Sequence, residues 1–149
     1  MSVETTLTRR RLRTWLRILR ITRKTENHLR EFLRVHHNTT LPRFDVAAAL
    51  YRHSVPIKMS ALSQSLLVSN GNATAVVDRL EKDGWAKRIP SPGDRRVVLV
   101  TLTEEGRAQF EILAAAHEAE LDRLFAHLGH KDLDLFRDLT HRLEYEDDD

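Results

Sequence analysis

The chain has 149 residues, of which 41% are apolar and 31% are charged, so it is long enough and apolar enough to bury one domain-sized core. It has no cysteine, which excludes disulfides, thiolate metal sites and thiol redox chemistry. No apolar run reaches the ~20 residues of a membrane span, and arginines interrupt the N-terminal stretch where a signal peptide would lie. We therefore expect a cytoplasmic protein without membrane contact.

The formal net charge of +2 conceals an uneven distribution of charge along the chain. Residues 1–40 carry ten Lys/Arg against three Asp/Glu, and residues 41–103 carry nine against five. Residues 104–149 carry five against fourteen. A chain that is basic over its first two-thirds can present one basic face to a polyanion, although solvated helices followed by an acidic tail have the same composition.

The first predicted elements are helices. Apolar residues recur at spacings of three and four over residues 9–36, which predicts one long helix. Pro42 suits the first turn of a second helix over 42–53. Residues 54–58 then form a turn around Pro56, and a short third helix follows over 59–68.

A fourth helix is predicted from Ser69, its N-cap, to Gly84, which suits the left-handed residue that ends a helix. Two short helices joined by a tight turn indicate a helix-turn-helix, whose second helix can enter a DNA major groove. An ordinary helical hairpin is the alternative. The exposed face of the fourth helix is polar and nearly uncharged, as suits close approach to bases; it comprises Asn70, Gly71, Asn72, Thr74 and Arg79.

The pattern changes to that of strands after Gly84. A short strand over 85–89, turn chemistry over 90–94 and a β run over 97–102 predict a two-stranded hairpin, with Arg95 and Arg96 near its tip. Thr103 caps a helix over 104–128 that Gly129 ends, and a last helix spans 131–145.

A helix-turn-helix followed directly by a β-hairpin is a winged helix. Arginines at the tip of the wing suit the narrow minor groove, whose negative potential is enhanced. Asp94 is predicted to hydrogen-bond the turn or to orient one of the arginines. The alternative is a loop whose arginines pair with acids such as Asp78.

The recognition-helix stretch SNGNATAVVDRLEKDGW and the wing stretch DRRVVLVTLTEEG, with a long helix on each side, resemble the MarR family of bacterial transcriptional regulators. The resemblance covers almost the whole chain, and Trp85 departs from the smaller aliphatic residue that is commoner in the family. It implies a mainly α fold with a small β-hairpin and one MarR-type domain over 1–149. The winged helix-turn-helix core would span about 42–103, and dimerisation helices about 9–36 and 104–145. The resemblance also implies a homodimer on a palindromic operator, more often repressing than activating.

The residues expected at the DNA divide by role. Asn70, Gly71, Asn72, Thr74 and Arg79 are expected in the major groove, beside the cap Ser69, and Arg95 and Arg96 in the wing with Asp94. The expected phosphate contacts are Ser60, Ser63, Lys87 and Arg88. Asp78 is expected to organise neighbouring arginines, since phosphates would repel it.

A small-molecule effector, often an aromatic or organic anion in the family, is the other partner that the resemblance implies. A cleft between the dimer helices and the DNA-binding lobe would place five residues among the candidates: Trp15, His36, His37, Arg43 and His53. Core packing for Trp15 and solvation of the others explain the same residues equally well.

Enzymatic function finds little support in the sequence. There is no glycine-rich phosphate loop and no nucleophile elbow, and Leu121 stands where a zinc-protease motif beginning at His117-Glu118 needs its second histidine. We expect no catalytic residue, cofactor or metal. The alternative function is a winged-helix protein-interaction module without specific DNA binding, which a steep salt dependence of DNA binding would exclude.

Overall fold

The computed structural model of the protein describes residues 3–67 and 72–144. Its elements in chain order are α1 (Val3–His37), α2 (Leu41–Arg52), β1 (Ile57–Lys58), α3 (Met59–Gln64), α4 (Ala73–Lys82), β2 (Ala86–Ser91), β3 (Asp94–Leu102), α5 (Glu104–Leu124) and α6 (His130–Glu144). The chain divides into two compact units, Met1–His117 and Glu118–Asp149, and α5 runs through the boundary. The expected fold class, mainly α with a small β-hairpin, is confirmed.

Helix α1 begins six residues earlier than its apolar pattern predicts, and its second half alone is packed. Leu29 and Leu33 are buried, whereas most of the apolar residues described in the first half are exposed, among them Leu12, Trp15 and Leu16. Asn38 ends the helix region with a positive φ of 49°. Thr40 then caps α2, since its Oγ1 accepts a hydrogen bond of 3.2 Å from the Arg43 N–H.

The helix-turn-helix consists of α3 and α4, and both helices are shorter than predicted. Helix α3 ends at Gln64 because Ser65 turns back on it, donating from its hydroxyl to the Leu62 carbonyl at 2.9 Å. The predicted N-cap of α4 is wrong: the helix begins at Ala73 and Asn72 caps it. Ser69 lies outside the described residues. Gly84 ends this region with a φ of 81°, as predicted.

The sheet is three-stranded and antiparallel in the order β1-β3-β2, which corrects the prediction of two strands. The overlooked strand pairs Ile57 with Val100 and Lys58 with Leu99. A strand of two residues is too short to show the alternation of apolar and polar residues that identifies a strand. Because Pro56 beside it indicates a turn, the segment was predicted as a turn. Between β2 and β3 only residues 92–93 form the turn, and an irregularity lies between Pro90 and Ser91.

The main core lies where α2, α3, α4, the sheet and the beginning of α5 meet. Its fully buried members include Val46 of α2, Leu62 of α3, Val77 of α4 and Val100 of β3. A smaller cluster of Leu33, Leu41 and Leu113 joins the end of α1 to α2 and α5. The two clusters therefore fix the helix-turn-helix and the wing on one rigid base.

Helix α5 ends at Leu124, four residues earlier than predicted, and a turn closed by the Leu128 N–H on the Phe125 carbonyl follows. Helix α6 has no buried residue. Its apolar residues are between 47% and 69% exposed, and they are Leu133, Leu135, Phe136, Leu139 and Leu143. Within 3–67 and 72–144, every helix falls short of the length and apolar character needed to cross a bilayer.

Candidate nucleic-acid interface

The tip of the β2–β3 hairpin exposes the two arginines that the sequence singled out. Arg95 and Arg96 follow Asp94, the first residue of β3, and the Arg96 side chain is 94% exposed. Oδ1 of Asp94 accepts hydrogen bonds from the Arg96 backbone N–H at 3.0 Å and from its Nε at 3.4 Å. Asp94 therefore both closes the turn and orients one guanidinium. Neither wing arginine pairs with Asp78.

The N-terminus of α4 is ordered by Asn72, which the sequence had assigned to base contact. Its Oδ1 accepts hydrogen bonds from the backbone N–H groups of Thr74 at 3.0 Å and Ala75 at 3.4 Å. The side chain thus acts as an N-cap and keeps its amide N–H groups for another partner. Thr74 is exposed beside it, and Ser69, Asn70 and Gly71 lie outside the described residues.

Arg79 lies two helical turns further along α4, and the structure does not bring it together with Asn72 and Thr74. Its Nε pairs with the Asp83 carboxylate at 3.1 and 3.3 Å. Both residues line a surface pocket instead. The assignment of Arg79 to a base contact stays a prediction.

Arg88 of β2 is held by acceptors on α4. Its Nη2 lies 2.6 Å from Oδ1 of Asp78 and 3.3 Å from the Thr74 carbonyl oxygen. Its Nη1 lies 3.6 Å from Oε2 of Glu81, which also accepts the Arg88 backbone N–H at 3.1 Å. The neighbouring Lys87 is exposed. Asp78 therefore organises an arginine, as expected, and that arginine is at the base of the wing.

Helix α3 presents Ser60 and Ser63 to solvent, as a phosphate contact requires. Sequence reasoning missed Asp45 of α2, which is only 4% exposed. Both of its carboxylate oxygens accept the Leu67 N–H, at 3.2 and 3.3 Å, so it anchors the chain just after α3. An aspartate inside the apolar stretch FDVAAAL was the available signal, because a charge among core residues needs a specific partner.

The pocket has a volume of about 320 Å³ and lies between the end of α1, the start of α2, the end of α4 and α5. Among its lining residues are His37, Arg43, Arg79, Asp83, Trp85 and Gln109. Two of the five predicted effector residues, His37 and Arg43, therefore lie together. Trp15 is 55% exposed on α1, and neither it nor His36 nor His53 lines this pocket. Trp85, noted in the sequence only as an unusual residue, supplies the aromatic surface.

A contact between two aromatic rings joins α2 to α5. The His117 imidazole stacks on the Phe44 ring with centroids 4.2 Å apart. Burial there lowers the pKa of His117, because the charged imidazolium loses water.

In the part of the chain that the structure describes, no group of three or more His, Asp or Glu side chains could hold a metal ion.

A helix-turn-helix followed by a β-hairpin with arginines at its tip, joined in one sheet by the short preceding strand β1, defines a winged helix-turn-helix protein. The MarR family profile matches residues 39–98, which contain this whole unit apart from the end of β3. Over these residues the chain is similar to the MarR family, and the members of that family are transcriptional regulators.

Three known proteins illustrate the similarity. The HTH-type transcriptional regulator PecS of Dickeya dadantii is 40% identical over 84 residues, which cover 54% of this chain and 51% of PecS. The transcriptional activatory protein BadR of Rhodopseudomonas palustris is 36% identical over 109 residues, covering 71% of this chain and 59% of BadR. The crystal structure of a MarR family transcriptional regulator from Silicibacter pomeroyi superposes with a TM-score of 0.79 at 28% identity, covering 97% of this chain and 98% of the other. The chain thus spans about half the length of PecS and somewhat more of BadR.

Proposed function

We propose that this protein is a cytoplasmic, homodimeric DNA-binding repressor of transcription that reads a palindromic operator. The observation that carries the proposal is the exposed pair Arg95 and Arg96 at the tip of a wing that is packed on the same core as α4. An arginine inserted into a minor groove gains from the negative potential there.

The two elements divide the reading of DNA between the grooves. The N-terminal end of α4, with Asn72 and Thr74 and with Asn70 and Gly71 before them in the chain, enters the major groove. The wing arginines enter the adjacent minor groove. Ser60, Ser63 and Lys87 bind phosphates, which positions the protein without reading sequence.

Dimerisation is supported by exposed apolar residues on helices that the monomer leaves uncovered. The first half of α1 exposes Leu12, Trp15, Leu16, Ile18 and Ile21, each by 39% or more. Helix α6 exposes its apolar face in the same way. Monomeric proteins rarely leave such faces in water, so a second copy covers them.

The charges of these regions also suit association. Residues 9–24 carry eight Lys/Arg and no Asp/Glu, whereas residues 118–149 carry eleven Asp/Glu and four Lys/Arg. Opposite charges around a shared apolar contact favour encounter and orientation. A two-fold dimer then reads half-sites about one helical turn apart.

An effector of the organic-anion class is proposed for the pocket of about 320 Å³. Arg43 and Arg79 offer charge to an anion, and the Trp85 ring offers an aromatic face. Because Arg79 belongs to α4, an anion that competed with Asp83 for it would act directly on the recognition helix. Such a ligand must bind the DNA-competent and DNA-incompetent dimers with different affinities.

The first experiment is a fluorescence titration of the protein onto a duplex from the DNA upstream of its own gene, with an unrelated duplex beside it. Wild type, Arg95→Ala/Arg96→Ala and a control of equal charge, Arg30→Ala/Arg34→Ala on the packed half of α1, are compared at roughly 50 mM and roughly 200 mM salt. We expect tight, salt-sensitive binding that prefers the upstream duplex. The wing variant should lose at least about tenfold in affinity, since each groove-bound arginine is worth ~1–3 kcal/mol.

The outcomes separate the two functions that the fold permits. Loss of affinity in the control as large as in the wing variant would mean that general charge, and not the wing, binds DNA. No binding to any duplex at low salt would overturn the proposal in favour of a protein-interaction module. A promoter–reporter fusion tests repression against activation. A repressor should lower expression of the reporter, and the wing variant should restore it.

A further inference from the structure

We propose that Arg88 is a positioning residue, which locks the wing onto the recognition helix, and that it does not bind a phosphate. The inference rests on the proposed DNA binding, because its consequence is how the wing and α4 meet two grooves. It concerns a residue whose sequence context alone, beside Lys87 at the base of a basic wing, indicates a phosphate contact.

The acceptors around Arg88 all belong to α4. The Thr74 carbonyl, Asp78 and Glu81 are spaced by four and three residues, so they lie in one row along the helix. That row faces β2, because the guanidinium and the backbone N–H of Arg88 both reach it. A single side chain thus spans two turns of the recognition helix from the middle of a wing strand.

The guanidinium has little left to offer to DNA. One terminal nitrogen is shared by Asp78 and the Thr74 carbonyl, and the other faces Glu81. The Arg88 side chain is only 25% exposed, against 94% for Arg96 at the tip. Neighbouring residues of a strand point to opposite faces, so Lys87 keeps the outward position that a phosphate contact needs.

The contacts of Arg88 hold the wing in one orientation relative to α4 before DNA binds. Binding to adjacent major and minor grooves requires α4 and the wing tip to hold one mutual orientation, and any freedom between them is lost on binding. Three acceptors on one helix, two of them side-chain carboxylates, fix that orientation before DNA arrives.

The two roles of Arg88 predict opposite signs when its acidic partners are neutralised. Asp78→Asn/Glu81→Gln removes two negative charges near the DNA, so DNA binding should tighten if Arg88 simply contacts a phosphate. If Arg88 is a lock, the same variant frees the wing and weakens binding. Each charged hydrogen bond is worth roughly tenfold in an equilibrium constant, so we expect Kd to rise about tenfold.

The experiment measures Kd on the upstream duplex for wild type, Arg88→Gln and Asp78→Asn/Glu81→Gln. The control is Glu31→Gln, which removes the carboxylate that pairs with an exposed arginine, Arg34, in the packed half of α1. We expect both lock variants to weaken binding and the control to leave it unchanged or slightly tighter. Binding by Asp78→Asn/Glu81→Gln that equals or exceeds that of wild type would overturn the proposal.

Hydrogen–deuterium exchange without DNA supplies a second readout, which a failure of the proposed function cannot affect. In both lock variants the amides of β2 and β3 should exchange at least about tenfold faster, while the α2 amides in the main core keep wild-type rates. Unchanged wing rates would refute the lock even if both variants bound DNA poorly. Faster exchange throughout the chain would also refute it, because that result indicates general loss of stability.

Discussion

Among the glycines of the described residues, Gly106 is the one where an added methyl group should cost most. It lies in the first turn of α5 and packs directly on the backbone of Trp85. A Cβ there would overlap the Trp85 carbonyl oxygen and lie 2.6 Å from its carbonyl carbon and 2.7 Å from its Cα. The 2.6 Å separation must grow by about 0.9 Å to reach the ~3.5 Å at which carbon atoms attract.

The surroundings cannot yield cheaply, because all three clashing atoms are backbone. Thr103 ties the same junction together, since its Oγ1 donates to the Gly84 carbonyl at 2.7 Å and accepts the Gly106 N–H at 2.9 Å. Forcing atoms into packed sites costs about 1–3 kcal/mol, and alanine regains ~1 kcal/mol of helix propensity. Taking the upper end of the first range, we expect Gly106→Ala to lower the free energy of unfolding by about 2 kcal/mol.

Thermal unfolding followed by circular dichroism at fixed protein concentration checks this value. A loss of that size lowers Tm by ~4–8 °C in a chain of this length. The control is Gly93→Ala, since a Cβ at Gly93 meets nothing within 4 Å. A Gly106→Ala protein that melted at or above the wild-type Tm would refute the reasoning, because propensity would then outweigh the clash.

Two further predictions concern pH and assembly. Burial lowers the pKa of His117, so the unfolded chain binds a proton at this residue more readily than the folded chain does. The free energy of unfolding therefore keeps its full value above the ordinary pKa of 6.5 and falls as the pH drops below 6.5. His117→Gln should flatten the decline of Tm between about pH 7.5 and about pH 5.5, whereas His127→Gln on an exposed histidine should not; equal slopes in all three proteins would contradict this assignment. Leu139→Asp places a charge in the exposed apolar face of α6 and should yield monomers in sedimentation equilibrium, while Val55→Asp, exposed in the segment after α2, should leave a dimer; monomeric wild type would dismiss the proposed interface.

Apart from the missed β1, periodicity and turn chemistry predict the order of the elements and the fold class correctly. The helix spacing of apolar residues, Pro42 in the first turn of α2, Gly84 with its positive φ and the β run before Thr103 are local signals, and each was confirmed. The wrong predictions fall where contacts between distant parts of the chain determine the local structure. Strand β1 exists only because β3 lies beside it, and the start of α4 depended on which of several capping residues was used.

The chemistry of individual side chains was less predictable than the fold. That Arg79 faces a pocket, that Arg88 is enclosed by α4 and that Asp45 holds a backbone N–H are facts about distant parts of the sequence. A basic residue near a wing has the same local pattern whether it meets a phosphate or a carboxylate. Only the positions of Asp78 and Glu81 in space distinguish the two cases.

The cap at the start of α4 has a consequence for the operator itself. The amide oxygen of Asn72 already accepts hydrogen bonds from the backbone of α4, so only its amide N–H groups, which are donors, can hydrogen-bond DNA. The paired contact to adenine needs a side chain that donates and accepts at once, and adenine and thymine each offer a donor only one acceptor in the major groove, whereas guanine offers two. Where Asn72 meets the half-site, we therefore expect guanine, and a library of randomised operators would show that preference at one base pair on each side of the dyad.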